Sequence, residues 1–176
     1  MAYTLQQLSD FEDIRTLKYR YFRGIDTADI GLLSDMFTDD ISVEYRGGGY
    51  KVKLQGRENM LEFLANSFNS DCAAMHQGHQ PEITLTGEDT AEGIWYLEDI
   101  FVNLTDRTRT EGTAIYRDQY RRVDGTWKLA RTEYDRVIEF VDKLPADVEI
   151  KSNLLARTGR KPADRTDISH MISWAA

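Results

Sequence analysis

TAEGIWYLEDIFVN, residues 90–103, places Trp95, Leu97, Asp99 and Phe101 on one side of an extended chain and Ile94, Tyr96, Glu98, Ile100 and Val102 on the other. Each side is apolar apart from one acid, so Glu98 and Asp99 compete for the inward position and only one can take it. A carboxylate on an apolar wall must be paired or have a perturbed pKa, which marks either a structural ion pair or a functional site.

Working outward, the same period of two continues on both flanks. PEITLT (81–86) precedes the stretch across the turn signal GED (87–89), and TAIYRDQYRRV (113–123) and TWKLARTEYDRVIEF (126–140) follow it. Asp124-Gly125 between the last two is the strongest hairpin signal in the chain. Along the last strand Ala130, Thr132, Tyr134, Arg136 and Ile138 align, opposite Trp127, Leu129, Arg131, Glu133 and Asp135. Arg136 is thereby placed to anchor an anionic ligand, to neutralise an inward acid, or to snorkel to the surface.

The first half reads differently. Ser9 and Glu12 form a capping-box pattern ahead of Phe11, Ile14, Leu17, Tyr21, Phe22 and Ile25, which predicts an amphipathic helix over about residues 9–26. A second helix is expected over Ile30–Phe37 with Asp29 as its cap, then a hairpin from ISVEYR (41–46) through GGG (47–49) to YKVKL (50–54), then a third helix in RENMLEFLANSF (57–68). Helices first and long antiparallel strands afterwards predict an α+β domain, helices covering one face of a curved sheet of six or fewer strands. Residues 1–140 form this domain. Residues 141–176 form a tail whose Leu, Ile, Met and Trp predict docking on the domain or on a neighbouring subunit.

Composition narrows the function. The chain has 176 residues, enough for one domain with a real core. Its 22 Lys plus Arg against 30 Asp plus Glu give a net charge of −8 without a basic block, which disfavours nucleic acid as a partner. Cys72 is the only cysteine, so no intrachain disulfide can form. The first twenty residues interleave charge with apolar positions, and no apolar run is long enough to span a membrane, so a soluble cytoplasmic protein is expected.

Polar residues on apolar faces are the candidates for chemistry. Tyr21 falls near the centre of the arc of Ile14, Leu17 and Ile25, so its hydroxyl points into the core and needs a partner. Asp26 lies at the helix C-terminal end, where the macrodipole disfavours a negative charge; capping the following turn is its local alternative. In MHQGHQPEI (75–83) the spacing of His76 and His79 sends the two rings to opposite faces of a strand, which argues against a metal pair, and no third ligand cluster is visible. Each histidine is then either a hydrogen-bonded core residue or a general acid/base.

Taken with YFRGID (21–26), MHQGHQPEI, WYLED (95–99) and EYDR (133–136), and with the separation of His76 from Asp99, the chain resembles the SnoaL-like branch of the NTF2-like superfamily from about Phe11 to Glu139. It is most similar to the bile-acid 7α-dehydratase group and more distantly to scytalone dehydratase. The resemblance implies an α+β cone with an apolar pocket, a catalytic set of Tyr21, Asp26, His76 and Asp99, and substrate contacts from Trp95, Tyr134 and Arg136. It also selects Asp99 over Glu98. The implied activity is cofactor-free and metal-free elimination of water from a hydroxylated steroid or similar polycyclic carbonyl compound. His76 would move the proton, Asp99 or Asp26 would fix its tautomer, and Tyr21 would donate to the enolate oxygen. The same scaffold also hosts double-bond isomerases, lipophile-binding proteins and the small subunits of ring-hydroxylating dioxygenases. Self-association is expected from the uncovered outer sheet face, a trimer by the resemblance.

Overall fold

A computed structural model describes residues 2–174. The first helix, α1, runs Leu5–Thr27 and begins at a capping box of Thr4 and Gln7: the Gln7 N–H donates to Thr4 Oγ1 at 3.1 Å and the Thr4 N–H to Gln7 Oε1 at 2.9 Å. The box therefore lies upstream of the expected Ser9–Glu12 pair, because nothing between Thr4 and Ser9 breaks a helix once those two amides are satisfied. Ile14, Leu17, Tyr21, Phe22 and Ile25 form its buried stripe. Each fully buried side chain of this size contributes about 1.5–3 kcal/mol. Ala28, in the left-handed region, closes the helix, and Asp29 caps α2 by accepting from the Leu32 N–H at 2.9 Å.

Helix α2 spans only Ile30–Ser34, not Ile30–Phe37. Leu33, Met36 and Phe37 have helical spacing, but Phe37 opens β1 (Phe37–Arg46) and pairs with Leu129, so tertiary pairing overrides the local pattern. β1 turns through Gly47–Gly49 into β2 (Tyr50–Gln55), and α3 follows at Arg57–Ser67. Then come β3 (Cys72–Leu85), β4 (Thr90–Asn103), β5 (Thr108–Val123) and β6 (Thr126–Lys143). α4 is a single turn at Leu155–Thr158, and β7 is Ile172–Trp174.

All seven strands form one curved, open sheet in the order β3-β4-β5-β6-β1-β2-β7, antiparallel except for the parallel β1–β6 pair. The sheet exceeds the expected six strands because the tail supplies β7 on the β2 edge, with Tyr50 opposite Trp174 and Val52 opposite Ile172. The preceding tail segment packs on α3 and the start of β3. Leu155 and Met171 are buried, Arg160 forms an ion pair with Glu62, and Arg165 lies 2.7 Å from Asp71.

Two bulges correct the strict alternation expected along β6. The partner of Tyr120 is Leu129 and that of Gln119 is Arg131, so Ala130 is the extra residue. Ala114 pairs with Arg136 and Thr113 with Ile138, so Val137 is the second. Each insertion reverses the phase. The inner face therefore reads Trp127, Leu129, then Thr132, Tyr134, Arg136, then Glu139, while Ile138 faces out. The outer face carries exposed Ile94, Tyr96, Val137 and Ile138. Among the described residues no helix is long and apolar enough to cross a membrane.

Candidate functional site

Between α1, α3 and the concave face of the sheet lies a cavity of about 360 Å³, walled by Tyr21, Tyr45, Phe63, Leu97, Tyr116 and Tyr134 and partly closed by Ile172 and Trp174. His76 also lines it. β3 presents His76 on the concave face, and the C-terminal turn of α1 brings Asp26 behind it. Asp26 grips the histidine twice. Its Oδ2 accepts the His76 backbone N–H at 3.0 Å, and its Oδ1 lies 2.6 Å from His76 Nδ1. The carboxylate that the helix dipole disfavours is held by these two bonds and does not cap the next turn, a task Asp29 performs.

With Nδ1–H donated to a carboxylate, Nε2 keeps the lone pair on the side away from Asp26. Phe22 stacks on the imidazole at 6.2 Å and an interplanar angle of 9°, and Phe68 meets it edge-on at 5.1 Å. Gly78 makes this packing possible, since a Cβ there would stand 2.3 Å from Phe22 Cε2. His79 is on the outer face, with Nε2 3.5 Å from Glu98 Oε2.

Asp99 points inward and Glu98 outward, but Asp99 does not bond His76, although the two are opposite one another across β3 and β4. It is paired bidentately with Arg136: Nη1 donates to Oδ1, and Nη2 to Oδ2 at 2.7 Å. Arg136 Nε also lies 2.9 Å from Glu139 Oε2. Burial alone would pull the guanidinium pKa down, but Asp99 more than offsets this and the net shift is upward. Of the two acids open as the histidine partner, Asp26 occupies that position because its side chain approaches from α1, while Asp99 meets the longer reach of Arg136 first.

The phenols form a cluster. Tyr21 and Tyr45 share a hydrogen bond of 2.8 Å, Tyr45 stacks on Tyr134 at 4.5 Å, and Tyr116 packs edge-on against both. Tyr50 and Tyr134 are joined through their hydroxyls. Burial pushes the pKa of Tyr21, Tyr45, Tyr116 and Tyr134 well above the ordinary phenol value, so all four stay protonated and able to donate. Sequence reasoning missed Tyr45, Tyr50 and Tyr116. The available signals were the alternation of Ile41, Val43 and Tyr45 and the position of Tyr116 in TAIYRDQYRRV.

Trp95 does not line the cavity. It is fully buried in a polar layer behind the phenols, where its indole N–H donates to the Tyr120 hydroxyl at 2.9 Å and Tyr120 donates to Asp118 at 2.8 Å. Asp118 Oδ2 is 2.7 Å from Lys18 Nζ, which sits 3.6 Å from the centroid of Tyr116. Burial lowers the Lys18 pKa, against the raising effect of Asp118. Lys18 stands four residues from Ile14 and seven from Ile25, on the apolar arc of α1; that misplaced lysine was the readable sign of the layer. Among the described residues no cluster of three or more His, Cys, Asp or Glu side chains could hold a metal.

Comparison with known proteins agrees with this fold. The SnoaL-like domain family matches residues 6–133. A hexachlorocyclohexane dehydrochlorinase, LinA type 2, superposes with a TM-score of 0.71 at 20% identity, covering 82% of this chain and 99% of that one. LinA type 3 from Novosphingobium barchaimii gives 0.70 at 21% identity, over 84% and 98% of the two chains. A protein from Novosphingobium aromaticivorans with a provisional scytalone dehydratase assignment gives 0.66 at 20%, over 84% and 93%. The chain belongs to the SnoaL-like domain family and has the NTF2-like cone fold.

Proposed function

We propose that this protein is a hydro-lyase that removes water from a hydroxylated polycyclic carbonyl compound, with a steroid as the expected ring system. The observation that carries the proposal is the Asp26–His76 dyad on the wall of an apolar cavity, with Nδ1 2.6 Å from a carboxylate oxygen. A dyad of this kind makes Nε2 a base and stabilises the imidazolium that forms when it takes a proton.

His76 Nε2 removes the C–H proton next to the carbonyl or its vinylogue, and the electron pair moves onto the carbonyl oxygen as an enolate. A protonated phenol donates to that oxygen. Tyr21 and Tyr45 carry two hydroxyl protons but spend one between them, which leaves one for the substrate. The enolate then collapses, forms the carbon–carbon double bond and expels the hydroxyl, which takes the proton back from Nε2 and departs as water. Each step uses side chains of this chain alone. The elimination named in the description of LinA and the dehydratase assignment of the third relative support the reaction class, and the apolar aromatic wall supports the substrate class.

The test is incubation with a panel of hydroxylated ketosteroids, followed by mass spectrometry. Loss of one water from a panel member is expected, and His76→Gln is expected to lower kcat about 10²–10⁴-fold with the fold intact. A product of unchanged mass would mark isomerisation and overturn elimination; full activity in His76→Gln would overturn the dyad as the proton shuttle.

A further inference from the structure

Arg136 is the only arginine or lysine among the described residues that line the cavity, and an isolated arginine there would be the natural anchor for an anionic ligand. It is not isolated. Its Nη1 and Nη2 edge is taken bidentately by Asp99, and its Nε lies 2.9 Å from Glu139 Oε2, an ion-pair contact without hydrogen-bond geometry. The Arg136, Asp99 and Glu139 side chains are 9%, 6% and 14% exposed, so water does little to screen them. Two carboxylates therefore flank one guanidinium.

A ligand carboxylate could reach the guanidinium fork only by displacing Asp99. That would leave Asp99 buried and unpaired, and truncating one partner of such a pair is strongly unfavourable. An anion that left the pair intact would face an excess of negative charge in a poorly screened cavity. Arg136 and Glu139 both lie just beyond residues 6–133, the segment that the family model matches. The second β6 bulge, at Val137, creates their pairing by returning Glu139 to the inner face.

We propose that Glu139 is a specificity-determining residue that, with Asp99, ties up Arg136, so that the cavity admits an uncharged ring system and rejects one carrying a carboxylate. This refines the substrate class of the proposed hydro-lyase and rests on that site, but it concerns binding and not turnover.

Equilibrium dialysis at about pH 7.5, where a ligand carboxylate is ionised, tests it with a ketosteroid carboxylic acid and its methyl ester. The same measurement with naphthoic acid and methyl naphthoate makes the charge comparison independent of the steroid assignment. In the wild-type protein each ester is expected to bind about tenfold or more tightly than its acid. Glu139→Gln, which keeps the side-chain shape and removes one negative charge, is expected to narrow that gap by tightening the acid, with the ester nearly unchanged. An acid that binds the wild-type protein as tightly as its ester would overturn the proposal. So would an unchanged gap in Glu139→Gln, or the absence of binding by both pairs. Binding of the naphthalene pair alone, with the expected preference, would uphold charge selection while counting against the steroid substrate. Absence of dehydration with the expected preference intact would count against the hydro-lyase alone.

Discussion

Lys18→Met is expected to destabilise the protein by about 3–5 kcal/mol, because it removes one half of a buried ion pair and leaves the other half charged. The Lys18 and Asp118 side chains are 1% and 0% exposed, and their charged atoms are 2.7 Å apart. At an effective dielectric constant of about 20 the attraction at that distance is ~6 kcal/mol. The lost hydration of two ions is several kcal/mol each, so the intact pair sits near balance. Methionine fills most of the lysine volume, which keeps the packing term small. What remains is Asp118 with one donor, the Tyr120 hydroxyl, and an Oδ1 that has no hydrogen-bond partner. The ammonium contact with the Tyr116 ring, at 3.6 Å, adds about 0.5–2 kcal/mol to the loss. Lys18→Met/Asp118→Leu removes both charges and is expected to recover to within about 2 kcal/mol of the wild type, giving a large favourable coupling in the double-mutant cycle. Urea unfolding followed by circular dichroism supplies the four free energies. A Lys18→Met cost below about 1 kcal/mol, or single-mutant costs that simply add in the double mutant, would refute the charge argument.

Two further outcomes follow from particular contacts. Arg160 holds the Glu62 carboxyl well below its ordinary value of 4.5, at about 2. A depressed carboxyl pKa contributes stability that is complete above about 4.5 and is lost as the pH falls toward 2, so Glu62→Gln should flatten the acid limb of an unfolding titration in that window; an identical acid limb would show that this pair does not hold the tail. Gly78→Ala pushes a methyl group into Phe22, which an ideal Cβ would approach to 2.3 Å, and should cost about 1–3 kcal/mol while displacing the ring that stacks on His76. Wild-type stability by urea unfolding, with an unshifted His76 ring proton resonance, would contradict that contact.

The elements with strong periodicity were legible from the chain alone. Four long strands with period two after position 80, three N-terminal helices and the Asp124-Gly125 turn are enough to order the layers, because each pattern must bury one face. What failed were places where two local codes had equal standing. Thr4–Gln7 and Ser9–Glu12 offer similar capping chemistry, and the earlier one takes the helix. Leu33, Met36 and Phe37 suit a helix stripe as well as a strand entry, and pairing of Phe37 with Leu129 decides it. The tail strand β7 has only three residues and owes its conformation to the free edge of β2, so no local pattern announces it.

The site was legible as a set of inward-facing groups but not as a set of partnerships. Tyr21, His76, Asp99, Tyr134 and Arg136 all reach the cavity, as helical and strand periodicity place them, while Trp95 shares the face of Asp99 and yet falls behind the wall because the cone narrows there around Tyr120 and Asp118. Which acid serves the histidine depends on lengths and approach directions that periodicity does not contain. Asp26 has both oxygens on His76, through the backbone N–H and Nδ1, and Asp99 has both on Arg136. Each carboxylate is thus saturated by one cation or potential cation, and exchanging the partners would leave a guanidinium beside the imidazole that must itself become positive. Electrostatics therefore favours the observed division: the Asp26 pair can stabilise a proton taken from the ligand, while the Asp99 pair keeps the positive charge of Arg136 compensated.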